Sequence, residues 1–131
     1  MIGILLITHG ELGVALLDCI RHVTNREQAQ LMQLAVGAND DPAQITARAR
    51  VLLEQLDQGA GILILTDIYG ATPANAAMRL CRPGHVEIVA GVNVPMLLRV
   101  LTYREKSDID TLCRKAVSGG CEGVHHIKGS F

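Results

Sequence analysis

The chain has 131 residues with 12 basic and 13 acidic side chains, a formal net charge of −1, which suggests one domain and gives no electrostatic case for nucleic acid or an anionic membrane. Hydrophobic residues make up 49% and aromatic residues only 2%, enough for a full core at this size, built from aliphatic side chains. No run approaches ~18 apolar residues, no basic segment precedes the first apolar run, and Cys19, Cys81, Cys113 and Cys121 show neither CxxC nor zinc spacing; membrane insertion, a signal peptide and a disulfide framework are therefore not expected, and a reduced cytoplasm fits.

The first strand is expected over residues 2–7, a short apolar run that stops at His9-Gly10. A run of this length beside a glycine reads as a buried parallel strand. The spacing of Leu12, Ala15, Leu16, Cys19 and Ile20 predicts a helix over 11–23, with Asn25 as its stop. A weaker strand over 31–36 ends at Gly37, and Asp40-Asp41-Pro42 starts a helix, with an aspartate cap and proline in the first turn. That helix carries Ile45, Ala49, Leu52, Leu53 and Leu56 at helical spacing. Gly59 and Gly61 frame a third strand ending at Thr66-Asp67. Thr72-Pro73 begins the next helix as cap plus proline, ended by Gly84; a fourth strand spans 86–90, closed by Gly91. Helices are expected over 95–103 and 108–118. Gly119-Gly120 then breaks the chain, and residues 124–128 read as a last short strand.

Apolar runs alternating with helices imply βαβ units and a mostly parallel sheet. Right-handed crossovers favour a doubly wound α/β three-layer sandwich with strand order 2-1-3-4, the terminal strand pairing at an edge in its own subunit or a neighbour's. That order puts the switch point between strands 1 and 3, where ligands bind in open α/β sheets. His9 and Asp67 both emerge there.

Three parts converge at that point: His9, Asp67, and the loop Ile68-Tyr69-Gly70-Ala71-Thr72-Pro73. The loop feeds a helix N-terminus, whose free N–H groups and dipole favour an anion. Gly70 and Ala71 leave little bulk, and Thr72 offers a hydroxyl or a cap. A histidine beside a phosphate-sized anion site is the arrangement that a phosphohistidine carrier requires, with Asp67 fixing the ring's tautomer. Taken singly each member has a plainer reading: a histidine is usually structural or on the surface, an aspartate often starts a turn, and Thr72-Pro73 is ordinary capping. Tyr69 either borders the site or covers it. There is no Walker A motif. His125-His126 with Cys121 makes a poor ligand set, because adjacent strand residues point to opposite faces, so no metal or cofactor is expected. His22 and His85 have no visible partner and read as surface residues.

Ile7-Thr8-His9-Gly10, then Thr66-Asp67-Ile68-Tyr69-Gly70-Ala71-Thr72-Pro73-Ala74-Asn75-Ala76-Ala77, then Ala90-Gly91-Val92-Asn93-Val94-Pro95-Met96-Leu97 resemble the mannose-family enzyme IIA of the bacterial phosphoenolpyruvate-dependent sugar phosphotransferase system. The similarity runs over essentially the whole chain, with three ordered motifs. It implies an α/β sheet, a histidine phosphorylated by phospho-HPr, an aspartate hydrogen-bonded to it, and a homodimer that exchanges its terminal strand. Carried over, His9 is the phosphorylated residue, Asp67 its partner, and Gly70, Ala71 and Thr72 the phosphate loop. The family often has a second glycine and a serine where this chain has Ala71 and Thr72, and Thr72 keeps the hydroxyl. Asn93, Pro95 and Met96 are expected on the rim used by protein partners. No fused enzyme IIB segment is expected from the sequence as it runs to Phe131.

The resemblance therefore implies a phosphocarrier that passes its phosphoryl group to an enzyme IIB for sugar uptake. Alternatives are a stand-alone regulatory IIA, whose partner binding depends on His9 phosphorylation, and the related dihydroxyacetone-phosphorylation carrier. A small hydrolase or metal enzyme built on His9 and Asp67 lacks a second base, a nucleophilic serine or cysteine, and a ligand cluster.

Overall fold

The computed structural model of the chain describes residues 1–129; Phe131, where the sequence ends, lies outside the described residues. Four strands, β1 (Gly3–His9), β2 (Leu31–Val36), β3 (Ile62–Thr66) and β4 (Val86–Ala90), form a wholly parallel sheet in the order β2-β1-β3-β4. Helices α1 (Leu12–Thr24), α2 (Pro42–Leu56), α3 (Thr72–Met78), α4 (Val94–Tyr103) and α5 (Ile109–Glu122) connect and cover it. The predicted order is the observed one.

Side-chain alternation along the central strands divides the interior in two. Ile4 and Leu6 of β1, with Leu63 and Leu65 of β3, meet α1, α4 and α5 through Leu16, Ile20, Leu97, Val100, Leu112 and Ala116. Leu5, Ile7, Ile62 and Ile64 meet α2 and α3 through Ile45, Ala49, Leu56, Ala76 and Ala77. Residues Ile4 to Ile7 have no solvent exposure; each such side chain contributes about 1.5–3 kcal/mol on burial, so β1 and β3 anchor the sheet. The four cysteines are free, and burial pushes the Cys113 thiol up to about 11, leaving it protonated at neutral pH.

Several boundaries follow local chemistry. Asn25 takes the left-handed conformation at φ 54° and ends α1. Asp41 caps α2 by accepting from the Ala43 N–H, with Pro42 at the first position. Helix α3 is shorter than its pattern, ending at Met78 rather than reaching Gly84. Pro83 disfavours helical geometry at Arg82, which instead forms an antiparallel bridge to Val86.

The carboxyl-terminal region departs from expectation. Gly119 and Gly120 do not break the chain; α5 runs through both to Glu122. A Cβ at Gly119 would lie 2.9 Å from Arg99 Cβ, one at Gly120 2.9 Å from Met96 Cε, and one at Gly123 2.2 Å from Pro95 Cβ. The glycines let α5 close onto α4, and tertiary packing outweighs their poor helix propensity. Residues 124–129 form no strand in the single chain; Val124 and Ile127 are exposed.

Gly119→Ala decides between propensity and packing. Alanine favours the helix by about 1 kcal/mol, but overpacking costs about 1–3 kcal/mol, and Arg99 Cβ is not the free end of a side chain. We expect a net loss of stability in urea unfolding; a stabilised variant would show that the α4–α5 contact relaxes without cost.

Candidate functional site

β1 and β3 are paired so that Ile7 lies opposite Thr66. Both strands end at the same edge of the sheet, and the residues that follow emerge together. His9 closes β1 and Asp67 follows β3. Asp67 Oδ2 accepts two hydrogen bonds from His9, one from the backbone N–H at 3.0 Å and one from ring Nδ1 at 2.8 Å. Asp67 Oδ1 accepts from the Ile68 N–H at 3.1 Å.

Burial pushes the Asp67 carboxyl up, but the hydrogen bonds from the His9 backbone and ring, with that from its own backbone and the His9 charge, outweigh it and hold it below the usual carboxylate range. Asp67 is therefore ionised at neutral pH and can only accept. A 2.8 Å contact between a carboxylate oxygen and Nδ1 then places a proton on Nδ1, and in the neutral ring the lone pair lies on Nε2. The His9 side chain is 48% exposed against 10% for Asp67, so an incoming group meets the histidine while the carboxylate stays behind it.

Gly10 turns the chain out of β1 at φ +52° and donates to the Val36 carbonyl of β2. Gly70 does the corresponding work after β3 at φ +84°. Among the described residues, no atom beyond the chain neighbours lies within 4 Å of a Cβ built at either position, so these glycines serve backbone conformation, and the space beside them is open. Thr72 is not a cap: Ala71 holds the cap position of α3, makes no side-chain cap bond, and leaves the first turn's N–H groups unclaimed by a side chain. Thr72, the first helical residue, is half-buried.

The structure thus brings His9, Asp67, Gly70, Ala71 and Thr72 to one edge. Asn93, Pro95 and Met96 follow β4 at the same edge; Met96 is buried, while Asn93 and Pro95 are half-buried. Asn93 Oδ1 caps α4 by accepting from the Met96 N–H, and its Nδ2 donates to the Gly120 carbonyl. Pro95 packs against Gly123, and Met96 is 3% exposed. These contacts join α4 to α5 and bury Met96, leaving Asn93 and Pro95 half-buried. The exposed apolar groups beside His9 are instead Ile68 and Tyr69; at 83% exposure Tyr69 borders the site and does not cover it.

His85, expected to be an unpartnered surface residue, has a partner. Its Nε2 lies 2.7 Å from Asp57 Oδ2 at the opposite end of the sheet, with Arg82 Nη2 4.0 Å from the same oxygen. Asp57 and His85 are 28 residues apart, and no local pattern connects them. Among the described residues no group of three or more His, Cys, Asp or Glu side chains is arranged to hold a metal ion, and no helix is long and apolar enough to cross a membrane.

Comparison with known proteins bears on the chain as a whole. The model of the family "PTS system fructose IIA component", of the mannose-type enzyme IIA class, matches residues 3–117. The chain is similar to the mannose-specific EIIAB component of Escherichia coli, 33% identical over 129 residues, covering 97% of this chain and 40% of that protein. It therefore spans well under half the length of that relative. It is also similar to the fructose-specific EIIA component of Bacillus subtilis, 28% identical over 80% of this chain and 72% of that protein. The fold matches phosphotransferase component EIIA from Streptococcus agalactiae (TM-score 0.85, 22% identity, 96% and 97% of the two chains). It also matches a mannose/sorbose-specific IIA subunit from Enterococcus faecalis (TM-score 0.83, 23% identity, 99% and 97%).

The acid limb of stability is expected to carry these aspartates. Asp67 and Asp57 are both held below their usual range in the folded chain, Asp57 mainly by the His85 side-chain hydrogen bond. As pH falls, the unfolded chain takes up these protons first, so their contribution is full above the ordinary carboxylate range and is lost on acidification through the lower folded values. Urea midpoints should be flat from neutral pH to about 5 and fall below about 4, with a shallower fall in Asp57→Asn. An unchanged acid limb in that variant would remove Asp57 from the account.

Proposed function

The chain belongs to the mannose/fructose-type enzyme IIA family of the sugar phosphotransferase system, a phosphotransferase component, and on that premise we propose that it is a cytoplasmic phosphocarrier. It accepts a phosphoryl group from phospho-HPr on His9 Nε2 and passes it to an enzyme IIB protein for sugar uptake. The observation that carries the reading is the double hydrogen bond from His9 to one oxygen of Asp67.

In the forward step the Nε2 lone pair forms a bond to phosphorus while the bond between phosphorus and its donor breaks, and the donor leaves with the electron pair. The ring gains positive charge, and Asp67, already paired through Nδ1–H, stabilises it without reorganising. The backbone N–H groups of Gly70 and Thr72 and the Thr72 hydroxyl receive the phosphoryl oxygens, while the Ala71 N–H donates to the Ile68 carbonyl at 3.4 Å. Transfer onward reverses these events with the acceptor's nucleophile. The half-exposed ring suits a group that must be delivered and withdrawn by two partners in turn.

The terminal segment supports a homodimer. β4 is an edge strand of the sheet, and among the described residues those after α5 carry exposed Val124 and Ile127 and form no strand. A second copy whose terminal segment adds to that edge buries both.

Two experiments test these points. With phosphoenolpyruvate, enzyme I and HPr, label on the protein should be acid-labile and base-stable and absent in His9→Ala. Asp67→Asn should fold but accept label about 10–100-fold more slowly, the equivalent of a hydrogen bond to charge worth about 1.5–3 kcal/mol. Full labelling of His9→Ala would overturn the assignment of His9, and unchanged transfer in Asp67→Asn that of its partner. For assembly, light scattering at micromolar concentration should give about twice the chain mass of 14.1 kDa, and removal of residues 124–131 should give the monomer. A monomeric intact chain rules the dimer out.

A further inference from the structure

A cleft of about 280 Å³ opens at the end of the sheet opposite His9. Its floor is Ile62 and Val86, the first residues of β3 and β4, with Leu80, and all three are at most 5% exposed. Arg50 and Glu54 come from α2, Asp57 from its carboxyl end, and Arg79, Cys81 and Arg82 from the turn after α3. Five residues of β3 separate this cleft from the His9 edge, roughly 15 Å of strand.

The lining has three guanidinium groups against two carboxylates. Of the carboxylates, Asp57 is already engaged: Oδ2 by His85 Nε2 at 2.7 Å and Oδ1 by the Gly59 N–H at 2.8 Å. Arg82 approaches Asp57 no closer than 4.0 Å. Arg50 and Arg79 make no ion pair or side-chain hydrogen bond among the described residues. Arginines gather at helix carboxyl ends for a plainer reason, attraction to the last carbonyls and the dipole. Here Arg79 donates its backbone N–H to the Ala76 carbonyl, but none of the three guanidinium groups bonds a last-turn carbonyl among the described residues, so side-chain capping does not account for them. Two guanidinium groups without partners, Arg50 and Arg79, and a third held only at 4.0 Å from Asp57, over an apolar floor, suit a planar or tetrahedral oxyanion, bound through paired N–H donors, with an uncharged body against the aliphatic side chains. The free carboxylate of Glu54 disfavours ligands of high negative charge. The volume admits on the order of ten non-hydrogen atoms.

We infer that the cleft lined by Arg50, Arg79 and Arg82 is a second ligand site, separate from His9, that binds a small organic oxyanion, a phosphate ester or a carboxylate of one or two negative charges.

The test is a ¹⁵N–¹H titration of the full chain with glycerol 3-phosphate and, separately, with glycerate. Amide shifts that saturate at millimolar concentration are expected at Ile62, Leu80, Cys81, Arg82 and Val86. Arg50→Gln with Arg79→Gln should weaken the response at least tenfold while leaving label uptake at His9 unchanged. The single Arg79→Gln carries the same test if the double variant does not fold. A stronger response to glycerol 3-phosphate assigns the site to phosphate esters, and a stronger response to glycerate assigns it to carboxylates. Shifts confined to Gly70–Thr72, no saturable shift with either probe, or undiminished binding in the arginine variants would overturn the proposal.

Discussion

The pairing of β1 with β3 is the constraint on which the functional edge depends. The two strands are parallel, adjacent and in a register that sets Ile7 against Thr66. Each is buried on both faces, so a slip of one residue would exchange the side chains destined for the two halves of the core. The aliphatic interior therefore holds the register, and the register carries His9 and Asp67 to within hydrogen-bond distance although 58 residues separate them. A long connection that closes at the end of a rigid strand costs little additional chain entropy, so the pair is assembled before any partner arrives.

The chemistry of the pair follows from how unequally its members are exposed. Asp67 is sheltered and uses both oxygens, accepting from the His9 backbone, the His9 ring and the next backbone N–H. Each bond favours the ionised carboxylate and together they offset the burial that opposes it. His85 and Asp57 show that the bond alone does not define a function. Their contact is as short, 2.7 Å against 2.8 Å, but it closes the end of α2 and stands beside arginines rather than beside an open turn and an uncapped helix start. One side-chain pairing, placed at opposite ends of one sheet, thus meets two different environments.

The segment after β4 shows packing overriding a local signal. Asn93 ties the start of α4 to the Gly120 carbonyl, and Met96 fills the space that the glycines of α5 leave. This clamp explains why Met96 is buried in a run that resembles a surface motif, whereas Ile68 and Tyr69, which follow Asp67, stay exposed. The helices on that face can approach closely because glycine presents no side chain where Arg99, Met96 and Pro95 stand.

Much of the architecture was legible in the residues themselves. Short aliphatic runs bounded by glycine marked β1 to β4. Asp41-Pro42 marked the start of α2, Asn25 marked the end of α1, and the handedness of crossovers limited the topologies, among which the favoured order 2-1-3-4 is the one observed. His9 and Asp67 were legible for the same reason, since each ends an apolar run and parallel strands end at a common edge. Four features were decided by tertiary structure: the burial of Met96 with the bond from Asn93 to Gly120, the passage of α5 through Gly119 and Gly120, the absence of a strand over residues 124–129, and the His85–Asp57 contact with the arginine-lined cleft beside it. Periodicity and turn chemistry report what a residue prefers within a few neighbours. A glycine that reads as a breaker, or a histidine that reads as free, changes meaning when a residue distant in sequence packs against it, and that contact exists only once the sheet has set the two elements side by side.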